Sequence, residues 1–289
     1  MVERLLFAGL EEAKTQPRAV QTTLEHGGLI EFASMGFAVF PDERDLIDAA
    51  AVSPKSKNIS LGPGGAVRGT VLDPAGQARM RGMMTRFSSY SESIVQALLP
   101  AYAASMNRRR TSFRPGAVEV RVLSPRRDDR RLHVDAFPSN PTQGQRILRV
   151  FCNVNPTGTP RVWNVGDLDF ESFAKLYADR LSGGPSSLAA WAMAATGLTR
   201  GRRSRYDQAM LELHDFAKLD DAFQAQAPRT QIALPAGATW VVFTDSVLHA
   251  ALSGQHLMEQ TFLLPIAAMA EPNLSPLETL KRLTGRALV

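Results

Sequence analysis

The sequence predicts a mainly β protein with helical additions, built around a double-stranded β-helix, the cupin-like jelly roll. Short segments of alternating apolar and polar residues recur in the second half of the chain, and each ends at Pro, Gly, Asn or Asp. Helical periodicity interrupts these segments only once, so strands and helices do not alternate as a parallel sheet requires. An antiparallel jelly roll of about eight strands fits this order.

The first 116 residues predict an N-terminal, mainly helical part of a single domain that spans residues 1–289. Apolar residues recur at helical spacing in 42–52 and in 76–106, and the second segment is long enough for one or two helices. Between them, ISLGPGGAVRGT is rich in glycine but lacks the Lys-Ser/Thr ending of a phosphate-binding loop. We therefore interpret it as a turn-rich connection.

The predicted jelly-roll core extends over residues 117–267 and contains a helical insert over about 168–222. The insert has helical spacing in FESFAKLYADRL and in RYDQAMLELHDFAKLDDAF. A C-terminal helix is expected within 268–289. The segments predicted as strands, before and after the insert, are 117–124, 130–137, 146–156, 160–166, 230–235, 239–245, 248–254 and 258–265.

The composition is that of an ordinary globular protein, with 44% apolar and 21% charged residues. Cys152 is the only cysteine, which excludes an internal disulfide and suits a reducing compartment. The opening MVERLLFAGLEEAKTQ does not read as a signal peptide, and no run approaches the roughly 18 apolar residues of a transmembrane helix. We therefore expect a cytoplasmic protein.

The charge distribution favours an anionic partner. The net charge is +5, and arginines occur in four clumps, NRRRTSFR, SPRRDDRR, GRRSRY and LKRLTGR. A single clump is equally compatible with a solvated basic surface, but four together indicate an anionic ligand or a membrane surface. Aromatic residues do not interleave with the basic ones as they do in proteins that bind single-stranded nucleic acid, so no nucleic-acid partner is expected.

A His-x-Asp pair stands in RRLHVDAFPSNPTQGQRILRVF. His133 and Asp135 point to the same side of a strand, because the side-chain period of a strand is two. One reading is a strand that ends in two polar residues. The other is two members of an iron site with two histidines and one carboxylate on one face of the metal.

The third ligand should be a histidine from a later strand across the barrel. His249 follows a Pro-Gly turn, an apolar strand and an Asp-Ser turn in PAGATWVVFTDSVLHAALSG, the position expected of a distal ligand. The remaining histidines, which fit a helix end, a helical pattern and a strand start, are His26, His214 and His256. The sequence therefore predicts Fe(II) held by His133, Asp135 and His249, with open positions for a 2-oxoacid and O2.

The co-substrate 2-oxoglutarate requires a cation for its far carboxylate. Many jelly-roll oxygenases supply it about ten residues after the distal histidine, where this chain has no cation. Arg149 is alone among apolar residues in RILRVFCNVN and is our first choice, with Arg161 and Arg121 as alternatives; the other reading is that Arg149 faces solvent. Asn153 and Asn155 lie on the same side of that segment and are candidate hydrogen-bond partners of the co-substrate.

The segment LHVDAFPSNPTQGQRILRVFCNVNP, followed far downstream by WVVFTDSVLHAALSGQHLMEQTFLLP, resembles the Kdo hydroxylases of Gram-negative bacteria. The resemblance covers about 117–267 and, less closely, the N-terminal helices. It implies an Fe(II)/2-oxoglutarate-dependent dioxygenase that hydroxylates C3 of 3-deoxy-D-manno-octulosonic acid (Kdo) in Kdo-lipid A, giving D-glycero-D-talo-octulosonic acid (Ko), succinate and CO2. The missing late arginine departs from the wider superfamily, and Arg149 compensates for it.

The resemblance also implies an anionic glycolipid substrate and peripheral contact with the cytoplasmic face of the inner membrane, which agrees with the arginine clumps. Arg127, Arg130 and Arg131 precede the metal segment and are the candidate substrate contacts. Two alternatives remain open at this point. One is the same chemistry on a peptide or a free sugar acid, and the other is a non-enzymatic cupin-like protein that binds sugar or lipid.

Overall fold

The computed structural model describes residues 2–120, 122–184, 187–197 and 199–289. The strands in chain order are β1 (Arg4–Phe7), β2 (Leu29–Phe32), β3 (Ile59–Leu61), β4 (Val67–Arg68), β5 (Asn107–Arg114), β6 (Arg146–Asn153), β7 (Arg161–Gly166), β8 (Arg229–Leu234), β9 (Thr239–Phe243), β10 (His249–Ser253) and β11 (Leu257–Leu264). The helices are α1 (Leu10–Lys14), α2 (Pro17–Glu25), α3 (Pro74–Leu98), α4 (Pro100–Ala103), α5 (Phe170–Lys175), α6 (Ser187–Ala195), α7 (Arg205–Leu219), α8 (Asp221–Gln226) and α9 (Pro276–Thr284).

Two sheets form the centre of the molecule. The large sheet has the strand order β1-β2-β9-β6-β11-β5-β3-β4, and the small sheet has the order β10-β7-β8. Neighbouring strands are antiparallel except for β1 and β2, which are parallel. The predicted fold class, a mainly β jelly roll with helical additions, is confirmed.

The long helix α3 covers the outer face of the large sheet. Asp73 caps its N-terminus, since the carboxylate accepts a hydrogen bond from the Gly76 N–H at 2.7 Å, and a proline opens the first turn. Its buried face then recurs at helical spacing and packs on residues of β3, β5, β6 and β11. The residues of that face are Met80, Met83, Met84 and Phe87.

Strand β6 lies between two cores and is buried along its whole length. Leu148 and Val150 point outward into the core formed with the N-terminal helices. The alternate residues Arg149 and Phe151 therefore point inward, toward the small sheet. Helices α5, α7, α8 and α9 pack around a second core. A third apolar core fills the space between the two sheets and includes Phe151, Trp163 and Trp240, so Arg149 is a charged residue on an otherwise largely apolar inner face.

Three local predictions are wrong. The described residues of 117–124 form no strand, and Val122 is 98% exposed. The prediction failed because an alternating pattern shows only that a segment is able to pair, not that a partner strand is available. Segment 42–52 forms short 3₁₀ turns instead of an α-helix. Segment 130–137 makes a single bridge to β10 in place of a strand. Conversely, β1 to β5 all join the large sheet, although they lie before residue 117.

Within the described residues, no helix combines the length and the apolar character needed to cross a bilayer.

Candidate metal centre

Backbone hydrogen bonds bring His133, Asp135 and His249 together. His133 and His249 each donate an N–H to the carbonyl of the other, at 3.1 and 2.9 Å, and the Asp135 N–H donates to the Thr244 carbonyl at 2.7 Å. The residues that flank the three side chains are turned into the helical core, which leaves the three on the inner side. Those flanking residues are Leu132, Val134, Leu248 and Ala250.

The three side chains form a cluster with the dimensions of a metal site. One donor atom from each lies within 4.8 Å of the others. The His133 Nε2 is 4.0 Å from Asp135 Oδ1, and the His249 Nε2 is 3.9 Å from Asp135 Oδ2. Two imidazoles and one carboxylate are the ligand set of non-haem iron(II) oxygenases.

Both imidazoles are held in the tautomer that a metal needs. The Nδ1 of His133 lies 2.7 Å from the Arg131 carbonyl, and the Nδ1 of His249 lies 2.9 Å from the Val247 carbonyl. A carbonyl only accepts, so each Nδ1 carries the proton and each Nε2 offers a lone pair to the cluster. Burial lowers the pKa of both histidines, which keeps them neutral at pH 7.

Asp135 supplies the negative charge of the cluster. Burial alone would raise its pKa, but the Arg149 guanidinium beside it reverses this and holds the pKa below its usual range. The Arg149 Nη1 is 3.3 Å from Asp135 Oδ2. That oxygen is buried and accepts no hydrogen bond in the described part of the chain. Although Arg149 neutralises its charge, this oxygen keeps lone pairs that no hydrogen bond uses, and these are available to a metal ion.

A small cavity of about 60 Å³ adjoins the cluster. Three arginines and three carboxylates line it together with the two histidines and apolar walls. The charged residues of the lining are Arg114, Arg149, Arg161, Asp129, Asp135 and Glu259. Trp163 also lines it, stacked on His249 with ring centroids 5.3 Å apart, and its buried indole N–H has no acceptor among the described residues.

Arg149 and Arg161 occupy different ends of this cavity. Arg149 lies at the metal cluster, between Asp135 at 3.3 Å and Glu259 at 3.1 Å, so it faces inward and not toward solvent. Arg161 begins β7 and donates to the Gly254 carbonyl at 2.9 Å. His249 pairs with Val165 of β7, so Arg161 lies four residues, about 13 Å, further along the strand.

The two asparagines that the sequence suggested for the co-substrate are engaged elsewhere. Asn153 donates to the carbonyls of Thr159 and Leu234, and it accepts from the Asn155 N–H. Asn155 accepts from the N–H groups of Thr157 and Thr159. Neither lines the small cavity, because both amides hold the turn after β6. Arg121 falls outside the described residues.

The predicted substrate arginines lie away from the small cavity. Arg130 forms an ion pair with Asp128 at 2.8 Å, and Arg131 forms one with Asp221. Arg127 is exposed and lines an open groove beside α7.

Sequence reasoning missed a second charged cluster next to the metal centre. Asp129 contacts Lys57 at 3.3 Å, Arg114 at 3.4 Å and the buried Lys218 at 3.4 Å. Arg114 also contacts Glu259 at 3.1 Å. The only sequence signal for Arg114 was its place in an arginine clump, and Lys218 gave none, because its helical segment reads as an ordinary amphipathic helix.

A jelly roll with two histidines and an aspartate at its cavity defines the class of iron-dependent oxygenases. The family model described as 3-deoxy-D-manno-oct-2-ulosonic acid (Kdo) hydroxylase matches residues 8–287. The chain therefore belongs to the Kdo hydroxylase family, and the resemblance predicted from its motifs is confirmed. No protein among the curated sequences matches the chain significantly.

The solved structures of the Kdo hydroxylase KdoO, described as a non-heme Fe(II) alphaketoglutarate-dependent dioxygenase, are similar over the whole chain. The complex with alphaketoglutarate and Fe(III) is 37% identical, with 99% of this chain and 97% of that chain covered and a TM-score of 0.91. The cobalt(II) complex is 38% identical with the same coverage and a TM-score of 0.92. The complex with succinate and Fe(III) is 38% identical with that coverage and a TM-score of 0.91.

Proposed function

We propose that this protein is an Fe(II)/2-oxoglutarate-dependent dioxygenase that hydroxylates Kdo, at C3, in Kdo-lipid A. The observation that carries the proposal is the cluster of His133, Asp135 and His249 in a chain of the Kdo hydroxylase family. The ligands of the similar KdoO structures, Fe(III), alphaketoglutarate and succinate, support the same metal, co-substrate and co-product here.

His133, Asp135 and His249 would hold the iron through two Nε2 atoms and a carboxylate oxygen. When bound, the metal supplies the redox chemistry that couples decarboxylation of 2-oxoglutarate to hydroxylation by O2. The chain fixes the ligands before the metal arrives, since backbone carbonyls already orient both imidazoles. The apolar walls Phe151, Trp163 and Leu257 line the cavity and exclude water from it.

Arg161 is the best-supported clamp for the far carboxylate of 2-oxoglutarate. The sequence analysis named Arg161 as an alternative to Arg149 for this role, and it lies at the end of the cavity remote from the metal ligands. Arg149 contacts Asp135 itself, so its charge acts at the metal end, on the oxygens nearest the iron. Trp163 lies between the two ends on the same face of β7, with its N–H available as a donor.

We further propose that the protein works as a peripheral protein at the cytoplasmic face of the inner membrane. No charged residue occurs between Arg180 and Arg200, and α6 lies in this segment with Trp191 60% exposed. An exposed tryptophan on an uncharged helix, followed by the arginines of GRRSR, has the chemistry of an interfacial contact with anionic lipid. The Arg200 N–H donates to Ser139, which links this segment to the loop after Asp135.

Mass spectrometry of Kdo-lipid A tests the proposal. Purified protein with Fe(II), 2-oxoglutarate and ascorbate should add one oxygen atom to a Kdo unit and release CO2, and the His133→Ala variant should do neither. Equal CO2 release by both proteins would contradict the metal assignment. CO2 release by the wild type without oxygen on Kdo would support an oxygenase with another substrate, such as a peptide or a free sugar acid. Binding without either product would leave a non-enzymatic sugar- or lipid-binding protein.

A further inference from the structure

A second cavity, of about 290 Å³, opens next to the metal centre on the inner face of the large sheet. Arg114, Arg149 and Glu259 line both this cavity and the small one beside the cluster, so the two spaces share a wall. A molecule bound in the larger cavity therefore lies beside the metal ligands. We call this larger cavity the basic cavity.

The basic cavity carries a surplus of positive charge. Five arginines and a single glutamate line it: Arg109, Arg110, Arg114, Arg149, Arg200 and Glu259. The glutamate is already shared by two of these arginines, Arg114 at 3.1 Å and Arg149 at 3.1 Å.

The other three arginines of the cavity have no carboxylate partner in the part of the chain that the structure describes. Within the described ranges, no Asp or Glu lies at ion-pair distance from the guanidinium groups of Arg109, Arg110 and Arg200. Partial desolvation lowers the pKa of Arg110, and repulsion by Arg200 and Arg68 lowers it further. Cations that converge without an anion raise the free energy of the empty site, and an anionic ligand relieves that repulsion.

The rest of the lining has the character of a sugar site. Neutral hydrogen-bonding side chains, two of them buried, face the same space as the arginines, and one aromatic ring and two aliphatic side chains form the apolar part of the wall. The neutral polar residues are Asn58, Ser112, Asn140 and Thr261, and the apolar ones are Phe137, Leu263 and Pro63. Hydroxyl partners, an apolar wall and unpaired guanidinium groups together suit a sugar that carries a carboxylate.

We propose that the basic cavity binds the sugar acid of the substrate, with Arg110 and Arg200 on its carboxylate and the neutral side chains on its hydroxyls. This assignment rests on the proposed function and adds the residues that recognise the substrate. It differs from the sequence-based choice of Arg127, Arg130 and Arg131, because Arg127 lines a different groove and the other two each face a carboxylate of the protein. A lipid phosphate has the same anionic chemistry. The sugar is favoured because the cavity adjoins the metal centre, where the reacting ring must lie.

Anaerobic binding of the methyl glycoside of Kdo to protein loaded with cobalt(II) and 2-oxoglutarate tests the assignment. Arg110→Gln and Arg200→Gln should each weaken binding about tenfold, since each removes a charge-assisted hydrogen bond. The matched control is Arg18→Gln, an exposed arginine on α2 far along the chain from the cavity, which should bind within about twofold of wild type. Neither cavity variant should unfold at a lower temperature than wild type, because both arginines are exposed and the removal of either relieves their mutual repulsion.

A thermodynamic cycle identifies the group that the arginines contact. The methyl ester of the same glycoside lacks the carboxylate charge, so wild type should bind it about as weakly as the variants bind the acid. On the ester, the two arginine variants should therefore bind almost as well as wild type does. Equal losses on acid and ester, or no binding of the acid by wild type, would overturn the proposal. A third result would also overturn the proposal: wild type binds ester and acid equally well, while the variants bind intact Kdo-lipid A more weakly. The cavity would then be assigned to a lipid phosphate.

Failure of the proposed function gives a different result. Since binding is measured without turnover, a wild type that satisfies the cycle but adds no oxygen to Kdo would contradict the hydroxylase and leave the cavity assignment standing. Oxygen addition at the wild-type rate and KM by both variants would contradict the cavity and leave the hydroxylase standing.

Discussion

Replacing Arg161 with leucine should abolish the preference of the protein for a dicarboxylic co-substrate. Arg161 is almost fully buried, at the end of the cavity remote from His249. Loss of a charge-assisted hydrogen bond costs about 1.5–3 kcal/mol, which corresponds to roughly a 10- to 150-fold weaker binding of 2-oxoglutarate. Leucine keeps the cavity wall apolar and has no polar group that would stay unpaired, so the fold should tolerate it.

The comparison co-substrate is 2-oxopentanoate, which has the same chain length and no far carboxylate. Wild-type protein loaded with cobalt(II) should bind it about as weakly as Arg161→Leu binds 2-oxoglutarate, and the variant should not distinguish the two acids. The control is Arg149→Leu. Because Arg149 contacts Asp135 at the metal end, this variant should weaken both acids alike. The assignment of Arg161 would be refuted if Arg161→Leu kept the full preference for 2-oxoglutarate over 2-oxopentanoate and Arg149→Leu lost it. Arg149 would then be the clamp.

Three further outcomes are expected. Cobalt(II) at 100 times its Kd should stabilise wild type by about 2.7 kcal/mol in thermal unfolding, and His133→Ala should abolish this; stabilisation of the variant would place the metal elsewhere. Asp129→Asn should cost about 3 kcal/mol in urea unfolding, since it strands the buried Lys218, and Asp129→Asn/Lys218→Met should recover most of it. The charges around Asp129 hold its pKa below the usual range, so the stability that this carboxylate contributes is present above about pH 4 and is lost as the pH falls. The destabilisation by Asp129→Asn should therefore shrink at low pH, and a pH-independent destabilisation would contradict this. Trp191→Ala should weaken co-sedimentation with anionic vesicles about tenfold, while the equally exposed Val71→Ala should not; equal effects would exclude α6 as the contact.

The metal cluster could be predicted from the sequence because its geometry is local. His133 and Asp135 share a side wherever the backbone is extended, and a single bridge to His249 aligns the two segments as well as a full strand would. The prediction of a strand over 130–137 was therefore wrong, yet the inference drawn from its period survived. The distal His249 was recognisable because turns and an apolar strand preceded it.

The wrong strand at 117–124 shows what alternation omits. A strand needs a partner with free hydrogen-bonding groups, and periodicity carries no information about the partner. In the large sheet, the position beside β11 is occupied by β5, whose sequence NRRRTSFR reads as a charge cluster and not as a strand. The contacts between Arg114 and Glu259, 145 residues apart, follow from that pairing, so no local pattern could have indicated them.

The pairing of β5 also explains what the arginine clump does. Arg108 reaches outward to Glu92 on α3, at 3.1 Å, and so attaches the helix to the sheet. Arg114 points inward and shares Glu259 with Arg149, which balances charge beside the candidate metal centre. Arg110 lines the basic cavity and has no such partner among the described residues. A run of arginines that suggested one anionic partner is thus divided between the two faces of a strand. Only the arginines that have no carboxylate partner among the described residues remain available to bind a substrate.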